Sequence, residues 1–350
     1  MVRAIDKVKS VVQKNPQRPA LGGVLIKEGY VIAANNEITI QVKVEGADEE
    51  SFILPAKAFD LIKNLPEGEV EVKCDEKYVV TIQMEKIKNS YQSFPAEDFM
   101  YSKIETGEEN GIILPGKLLI ESFSHVLYAA ADKSPGHQEL EGIYLEGGEE
   151  CMNLAATDGH VMCWDQIKAS GVSDLKLIVP KTAAKKLTSM GMDDDVNLSY
   201  DSNSAIFKTD NYVIHTRIYN GKYIPYQKMF IEMDNYTIVN RDELIGAMTR
   251  AKMCTDENVP AEFDVSDREI NLILKDKVTN YQEKVALQEP IRNPIRIGFD
   301  SRLVLETIKA FTCENITLNF SGSKTPMIVQ AEDSDMKALV LPVMLKGASK

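Results

Sequence analysis

One unit recurs along this chain at intervals of about 60 residues, and no other feature restricts its fold as tightly. The unit is a short apolar strand, a residue suited to opening a helix, and a helical stretch of about 10 to 15 residues. Five copies are legible. They are SFILP (51–55) into AKAFDLIKNL, GIILP (111–115) into GKLLIESFSHVLYAA, LIVP (177–180) into KTAAKKLTSM, TIVN (237–240) into RDELIGAMTRAKM, and IRIGFD (295–300) into SRLVLETIKAF. Pro55, Pro115, Pro180, Asn240 and Asp300 stand at the junctions, with spacings of 60, 65, 60 and 60 residues. Proline is tolerated in a first helical turn, where its missing N–H is not needed, and Asn or Asp accepts hydrogen bonds from the free N–H groups there. A sixth helix is expected over residues 3–14, with Ile5, Val8, Val11 and Val12 on one face, but the strand that should precede it is absent.

Between the helices, the alternating stretches 69–84, 196–209, 262–274 and 316–330 read as strands, with turns at Gly147-Gly148 and Asp158-Gly159. Each unit is then one helix with roughly four strands, and two units make a domain of conventional size. The expected class is α+β. It comprises three similar domains, each of two helices packed on antiparallel sheets, in six half-domain repeats with limits at 1–107, 108–233 and 234–350.

Hydrophobic residues at 44% and charged residues at 27% match a soluble globular protein. The charged start lacks a signal peptide, and no apolar run approaches the roughly 20 residues of a membrane span, so a cytoplasmic protein with no membrane partner is expected. Five cysteines, an odd number with no C-x-x-C, read as reduced and mostly buried, with no metal site and no cofactor.

The formal charge of −13 argues against nucleic acid as a partner until the charges are located. The six expected helices together carry +8, leaving −21 for the rest of the chain. A molecule with its helices on one surface would hold a polyanion on that basic face and repel it elsewhere. The candidates are Lys7, Lys9, Lys14, Lys57, Lys63, Lys117, Lys181, Lys185, Lys186, Arg241, Arg250, Lys252, Arg302 and Lys309. Any one of them alone reads as a solvated surface lysine or arginine; it is their repetition that points to DNA.

Asp158 and His160 are a remote hydrolase candidate, because an Asp-Gly-His turn can orient an imidazole as a general base. There is no G-x-S-x-G elbow, Gly-rich phosphate loop or H-E-x-x-H, and the four histidines are scattered, so no catalytic residue is assigned.

Several segments resemble, in order and spacing, the bacterial DNA polymerase III beta subunit family, the sliding clamps. They are FPAEDF (94–99), LAATDGH (154–160), IVPK (178–181), GKYIPY (221–226) and LVLPVML (339–345). The resemblance covers essentially the whole chain. It implies a DNA clamp fold, a non-enzymatic processivity factor, and a homodimer ring of twelve helices around duplex DNA, held without sequence preference. It also implies a pocket for short peptides of the polymerase III catalytic subunit, the clamp loader and other partners.

On matching segments the pocket comprises Leu140, Thr157, Gly159, His160, Val161, Met162, Lys228, Met229, Leu339, Leu341, Pro342, Val343 and Met344. Val161 and Met344 stand where the family often has arginine, so acidic residues in a partner peptide should matter less. Residues 346–350 extend past the usual end. Ring closure by resemblance pairs Asn89 to Ser93, including Tyr91, with Met253 and Cys254. Arg18, Lys133 and His137 resemble clamp loops that face DNA. A clamp-like paralogue serving a mobile element or repair polymerase, with altered partners or lost ring closure, is the alternative.

Overall fold

The computed structural model describes residues 1–47, 51–101, 111–255 and 259–345. In chain order the first elements are α1 (Val2–Val8), β1 (Gly23–Lys27), β2 (Tyr30–Ala34), β3 (Ile38–Lys43), β4 (Phe52–Pro55) and α2 (Phe59–Lys63). Next come β5 (Glu71–Cys74), β6 (Val79–Met84), β7 (Ile87–Gln92), β8 (Ile112–Leu114), α3 (Gly116–Val126), β9 (Gly142–Gly147), β10 (Cys151–Thr157) and β11 (Val161–Lys168). They are followed by β12 (Lys176–Pro180), α4 (Lys181–Met190), β13 (Val196–Tyr200), β14 (Ser204–Lys208), β15 (Tyr212–Arg217), β16 (Asn235–Asn240) and α5 (Arg241–Cys254). The last are β17 (Pro260–Ser266), β18 (Glu269–Lys275), β19 (Asn280–Ala286), β20 (Ile295–Asp300), α6 (Ser301–Ala310), β21 (Asn315–Phe320), β22 (Met327–Ala331), β23 (Ser334–Val340) and β24 (Pro342–Val343).

All five strand-to-helix junctions occur. Two are capped by side chains: Asn240 accepts from the Glu243 N–H at 3.0 Å, and Asp300 from the N–H groups of Arg302 at 2.8 Å and Leu303 at 3.1 Å. The helix expected over 3–14 is shorter. It stops at Val8 and continues as turns, Val11 N–H to Val8 O and Val12 N–H to Lys9 O, because two β-branched valines and the following Asn15-Pro16 disfavour helix. Val11 is still buried, so the apolar face outlives the helix. Each long alternating stretch proves to be a hairpin; 69–84, for example, is β5 and β6 joined at Asp75, whose side chain accepts from Lys77 and Val79 N–H groups.

The chain divides into two compact units. The first, Met1–Lys117 with Lys186–Ile218, holds an antiparallel sheet in the order β4-β1-β2-β3-β15-β14-β13-β8 and a small sheet β5-β6-β7. Helix α1 packs on β2 and β3 through Ala4, Ile5 and Val8, over a core that includes Val24, Ile40 and Leu54. Full burial of each large aliphatic side chain contributes about 1.5–3 kcal/mol. The second unit, Leu118–Lys185 with Tyr219–Lys350, holds β12-β9-β10-β11-β23-β22-β21-β16 and β19-β18-β17-β20-β24. In it α5 and α6 pack on each other, and α5 also lies on β19.

One rule generates both large sheets. A four-strand half ordered fourth, first, second, third (β4-β1-β2-β3; β12-β9-β10-β11) pairs through its third strand with a half from a later repeat (β15-β14-β13-β8; β23-β22-β21-β16). Of the remaining strands, β20-β17-β18-β19 repeats that order, and β7-β6-β5 matches the β15-β14-β13 part of the later half, each in a separate sheet.

The five cysteines are free as expected, but only Cys163 is fully buried; Cys74, Cys151 and Cys313 are half-buried and Cys254 is exposed. The expected limit at 107 and the extension 346–350 lie outside the described residues. Among the described residues no helix is long and apolar enough to cross a membrane.

Candidate functional site

The Thr157–His160 segment forms the turn between β10 and β11. Asp158 Oδ1 accepts from the N–H groups of His160 at 2.8 Å and Val161 at 2.9 Å, and Thr157 Oγ1 donates to Val161 O at 2.7 Å. Gly159 sits at φ +89°, where a side chain would be strained. With its carboxylate tied to backbone, Asp158 shapes the turn and does not orient the exposed His160 imidazole. Pairing of β11 with β23 sets Val161 opposite Val340 and Met162 opposite Leu339, and Leu341 N–H donates to His160 O at 2.9 Å. Segments about 180 residues apart in sequence are thereby joined edge to edge.

Met162 and Leu339 are buried in one apolar cluster with Ala155, Ile178, Tyr223, Tyr226 and Ile328, against which Trp164, Phe230 and Met233 pack. Around it Met229, Leu341 and Met344 are exposed at 45%, 37% and 76%, with Lys228 also exposed. Pro342 and Val343 form β24 and pair with Phe299 and Gly298; a Cβ on Gly298 would lie 2.5 Å from the Leu345 side chain. Leu140 is half-buried in a 3₁₀ turn and is not part of this cluster. Sequence reasoning missed the aromatic wall. Trp164 lies 5.8 Å from Phe230 and 6.0 Å from Tyr226, with Lys337 Nζ 5.6 Å from its ring. Its place two residues after Met162, on the same face of β11, was the available signal. Burial pushes the Tyr144 phenol up to about 12 and Tyr226 higher still, so this wall stays neutral.

The helix cations divide into two groups. Several are held by neighbouring helix ends: Lys7 Nζ donates to Ser189 O at 3.2 Å and Met190 O at 2.5 Å, and Lys181 to Ala130 O at 2.6 Å and Asp132 at 2.8 Å. Arg241 donates to Ile308 O at 3.3 Å and Lys309 O at 3.4 Å. Lys186 contacts Ser10 Oγ, and burial lowers its pKa. Arg250 is bidentate on Glu283 of β19, with N–O distances of 3.0 and 2.5 Å. Lys9 pairs with Asp6, Arg302 with Glu306 and His137 with Glu139, each at an exposed surface. Lys14, Arg18, Lys57, Lys63, Lys117, Lys133, Lys185 and Lys309 are exposed, and Lys252 is half-buried.

Three family models match in succession: the DNA polymerase III beta subunit N-terminal domain over residues 1–103, its central domain over 113–225 and its C-terminal domain over 231–344. The chain belongs to the DNA polymerase III beta subunit family, the beta sliding clamps. Its fold is therefore three clamp domains, and it is a sliding-clamp processivity factor, a non-catalytic polymerase subunit, which closes the hydrolase reading of Asp158 and His160.

Similar relatives include the beta sliding clamp of Synechococcus elongatus, 22% identical over 98% of this chain and 97% of that protein. That of Staphylococcus epidermidis is 24% identical over 98% and 96%. Among solved structures, the sliding clamp of Bacillus subtilis superposes with a TM-score of 0.88 at 19% identity, covering 98% and 97%. The beta subunit of Streptococcus pyogenes gives 0.89 at 19%, with the same coverage. The two compact units do not coincide with the three clamp domains, because the β3–β15 and β11–β23 pairings each join strands from different domain ranges.

In the clamp frame, Asn89 and Tyr91 lie on β7, where the Asn89 amide donates to Tyr91 Oη at 3.1 Å. Met253, 80% exposed, and the exposed Cys254 end α5.

Proposed function

We propose that two copies of this chain close head to tail into a ring that encircles duplex DNA without reading its sequence. In this reading the Met162–Leu339 groove tethers the polymerase III catalytic subunit, the clamp loader and other partners through short apolar peptides. Clamp domain limits at 1–107, 108–233 and 234–350 and a cytoplasmic location belong to the same reading.

The pair of unmatched edges carries it. Strands β3 and β11 each pair with a strand of a later repeat, whereas β19 and β7, which hold the corresponding places in their sheets, have one neighbour each among the described residues. Adding β7 of one protomer to β19 of its partner repeats the same junction, and doing so twice closes a two-membered ring. Open edges are otherwise an aggregation hazard. Asn89, Tyr91, Met253 and Cys254 flank this junction by resemblance. A topological hold needs only modest positive potential, which the exposed helix cations supply, and few released counterions leave the ring free to move. The groove's methionine rim suits several peptides. The exposed Met344, where the family often has arginine, makes its recognition chiefly apolar, while Val161 is buried in the sheet.

The test is loading onto nicked circular DNA with an active clamp loader and ATP, followed by linearisation. Retention on circles and release from ends supports the ring; no retention by a folded protein sinks it. Met344 in place of that arginine favours one other reading, a clamp-like paralogue with altered partners or lost ring closure. A persistent monomer in sedimentation at micromolar concentration would select that reading.

A further inference from the structure

We infer that a cleft in the first unit, about 400 Å³ in volume, binds the phosphate and base of a nucleotide, a function beyond the ring and the peptide groove. The cleft is assembled from separate segments. Arg18 comes from the loop before β1, Asn36 from the β2–β3 turn, Tyr101 from the segment after β7, and His215 and Arg217 from β15.

Its frame is well determined. The Asn35 side chain accepts from the N–H groups of Glu37 at 2.8 Å and Ile38 at 2.9 Å, fixing the turn. Arg217 N–H donates to Glu37 O at 2.9 Å, and His215 stands opposite Thr39 in the β15–β3 register. Tyr101 packs against Phe99 with ring centroids 6.1 Å apart.

The chemistry points to one ligand class. In a chain of formal charge −13, this cleft presents two guanidinium groups and one carboxylate, Glu37. Among the described residues neither Arg18 nor Arg217 forms an ion pair, and the Arg18 contact is Met100 Sδ, a weak acceptor that an anion displaces. Guanidinium forks match phosphate oxygens in geometry and charge. A planar partner is favoured by the Tyr101 ring and by the Gln17 and Asn36 amides, whose donor-acceptor pairs suit base edges. The volume falls within the range of about 300–1,000 Å³ typical of small-ligand sites. Burial holds the His215 imidazole below its usual pKa, so near neutrality it contributes one N–H donor and one acceptor. Arg18 is shared with the DNA-facing set, but Arg217 and His215 belong neither to that set nor to the peptide groove, so variants at Arg217 isolate this site.

Calorimetric titration of the full chain with deoxyadenosine monophosphate, inorganic phosphate and a twelve-residue single strand tests the assignment. Wild type is compared with Arg217→Gln and Arg217→Lys, and Tm is measured for each. The expected result is saturable nucleotide binding, tighter than that of phosphate and weakened roughly tenfold or more in Arg217→Gln at unchanged Tm, because a charge-assisted hydrogen bond is lost. Arg217→Lys, which keeps charge without the fork, should recover part of the affinity. Binding of the strand alone, with the same dependence on Arg217, would assign the cleft to a nucleotide within a chain and still support it. Phosphate binding as tightly as the nucleotide would overturn the role of the base. Absence of saturable binding by any probe, or binding indifferent to Arg217→Gln, would overturn the site.

Discussion

Arg241 shows how a surface cation can serve the fold more than a ligand. Its side chain is only 20% exposed, and the guanidinium, which also pairs with the exposed Asp242, meets the carbonyls that end α6, where unpaired C=O groups and the helix dipole both favour positive charge. Arg241→Ala should cost about 1–2 kcal/mol in urea denaturation. The exposed Lys309→Ala should stay within about 0.5 kcal/mol. Several carboxylates, among them Asp132, Asp201 and Glu283, respond to pH in one direction. Asp132 is held below its usual range by Lys181, Asp201 by the N–H groups of Asn203 and Ser204, and Glu283 by Arg250. Because their folded pKa values are depressed, their stabilisation is complete above the ordinary carboxylate range of about 3.9–4.3 and disappears as pH falls through the folded values. Tm should therefore decline below about pH 4, and Asp132→Asn should flatten part of that decline.

At the scale of elements, the helix starts obey local chemistry. Asp300 accepts two N–H groups of the first turn of α6, so Asp300→Ala should destabilise by about 0.5–2 kcal/mol, read from chemical denaturation. Strand β11 carries the single tryptophan of the chain, Trp164, packed against the Met162–Leu339 cluster where the peptide groove is proposed. A docking clamp-motif peptide should change the polarity around that ring. A saturable shift in its emission is expected, and it should be lost in Leu339→Asp; emission that stays flat while binding is seen by calorimetry would place the peptide elsewhere. These elements were readable because cap, proline and alternation signals act within a few residues. Helix α1 was overestimated because Val11 keeps the apolar rhythm after the backbone has left the helix.

For the whole molecule, the proposed ring closure would place its junction where α5 packs on the edge strand β19. Arg250 clasps Glu283, to which Tyr281 of the same strand also donates, beside the exposed Met253 and Cys254. Arg250→Ala should raise the dimer dissociation constant several-fold in analytical ultracentrifugation with little change in monomer Tm, since exposed ion pairs add at most about 1 kcal/mol to folding. Arg250→Lys should restore part of the association. Unchanged association would remove Arg250 from the junction and return it to the set of DNA-facing cations.

The sequence by itself determined the class of the protein: six repeats, their helices and hairpins, the excess of positive charge on the helices, and the short segments that resemble a clamp. Periodicity, caps and turns are local, and local free energies are written in neighbouring residues. Only the tertiary structure decided which edges meet. The pairings of β3 with β15 and β11 with β23 span 170 residues or more, and they alone bring Met162 to Leu339 and His215 to Thr39. The structure also decided which cations are used. Lys7, Lys181 and Arg241 look like any exposed helix cation in one dimension, and a neighbouring helix end, brought close only by folding, gives each its partner.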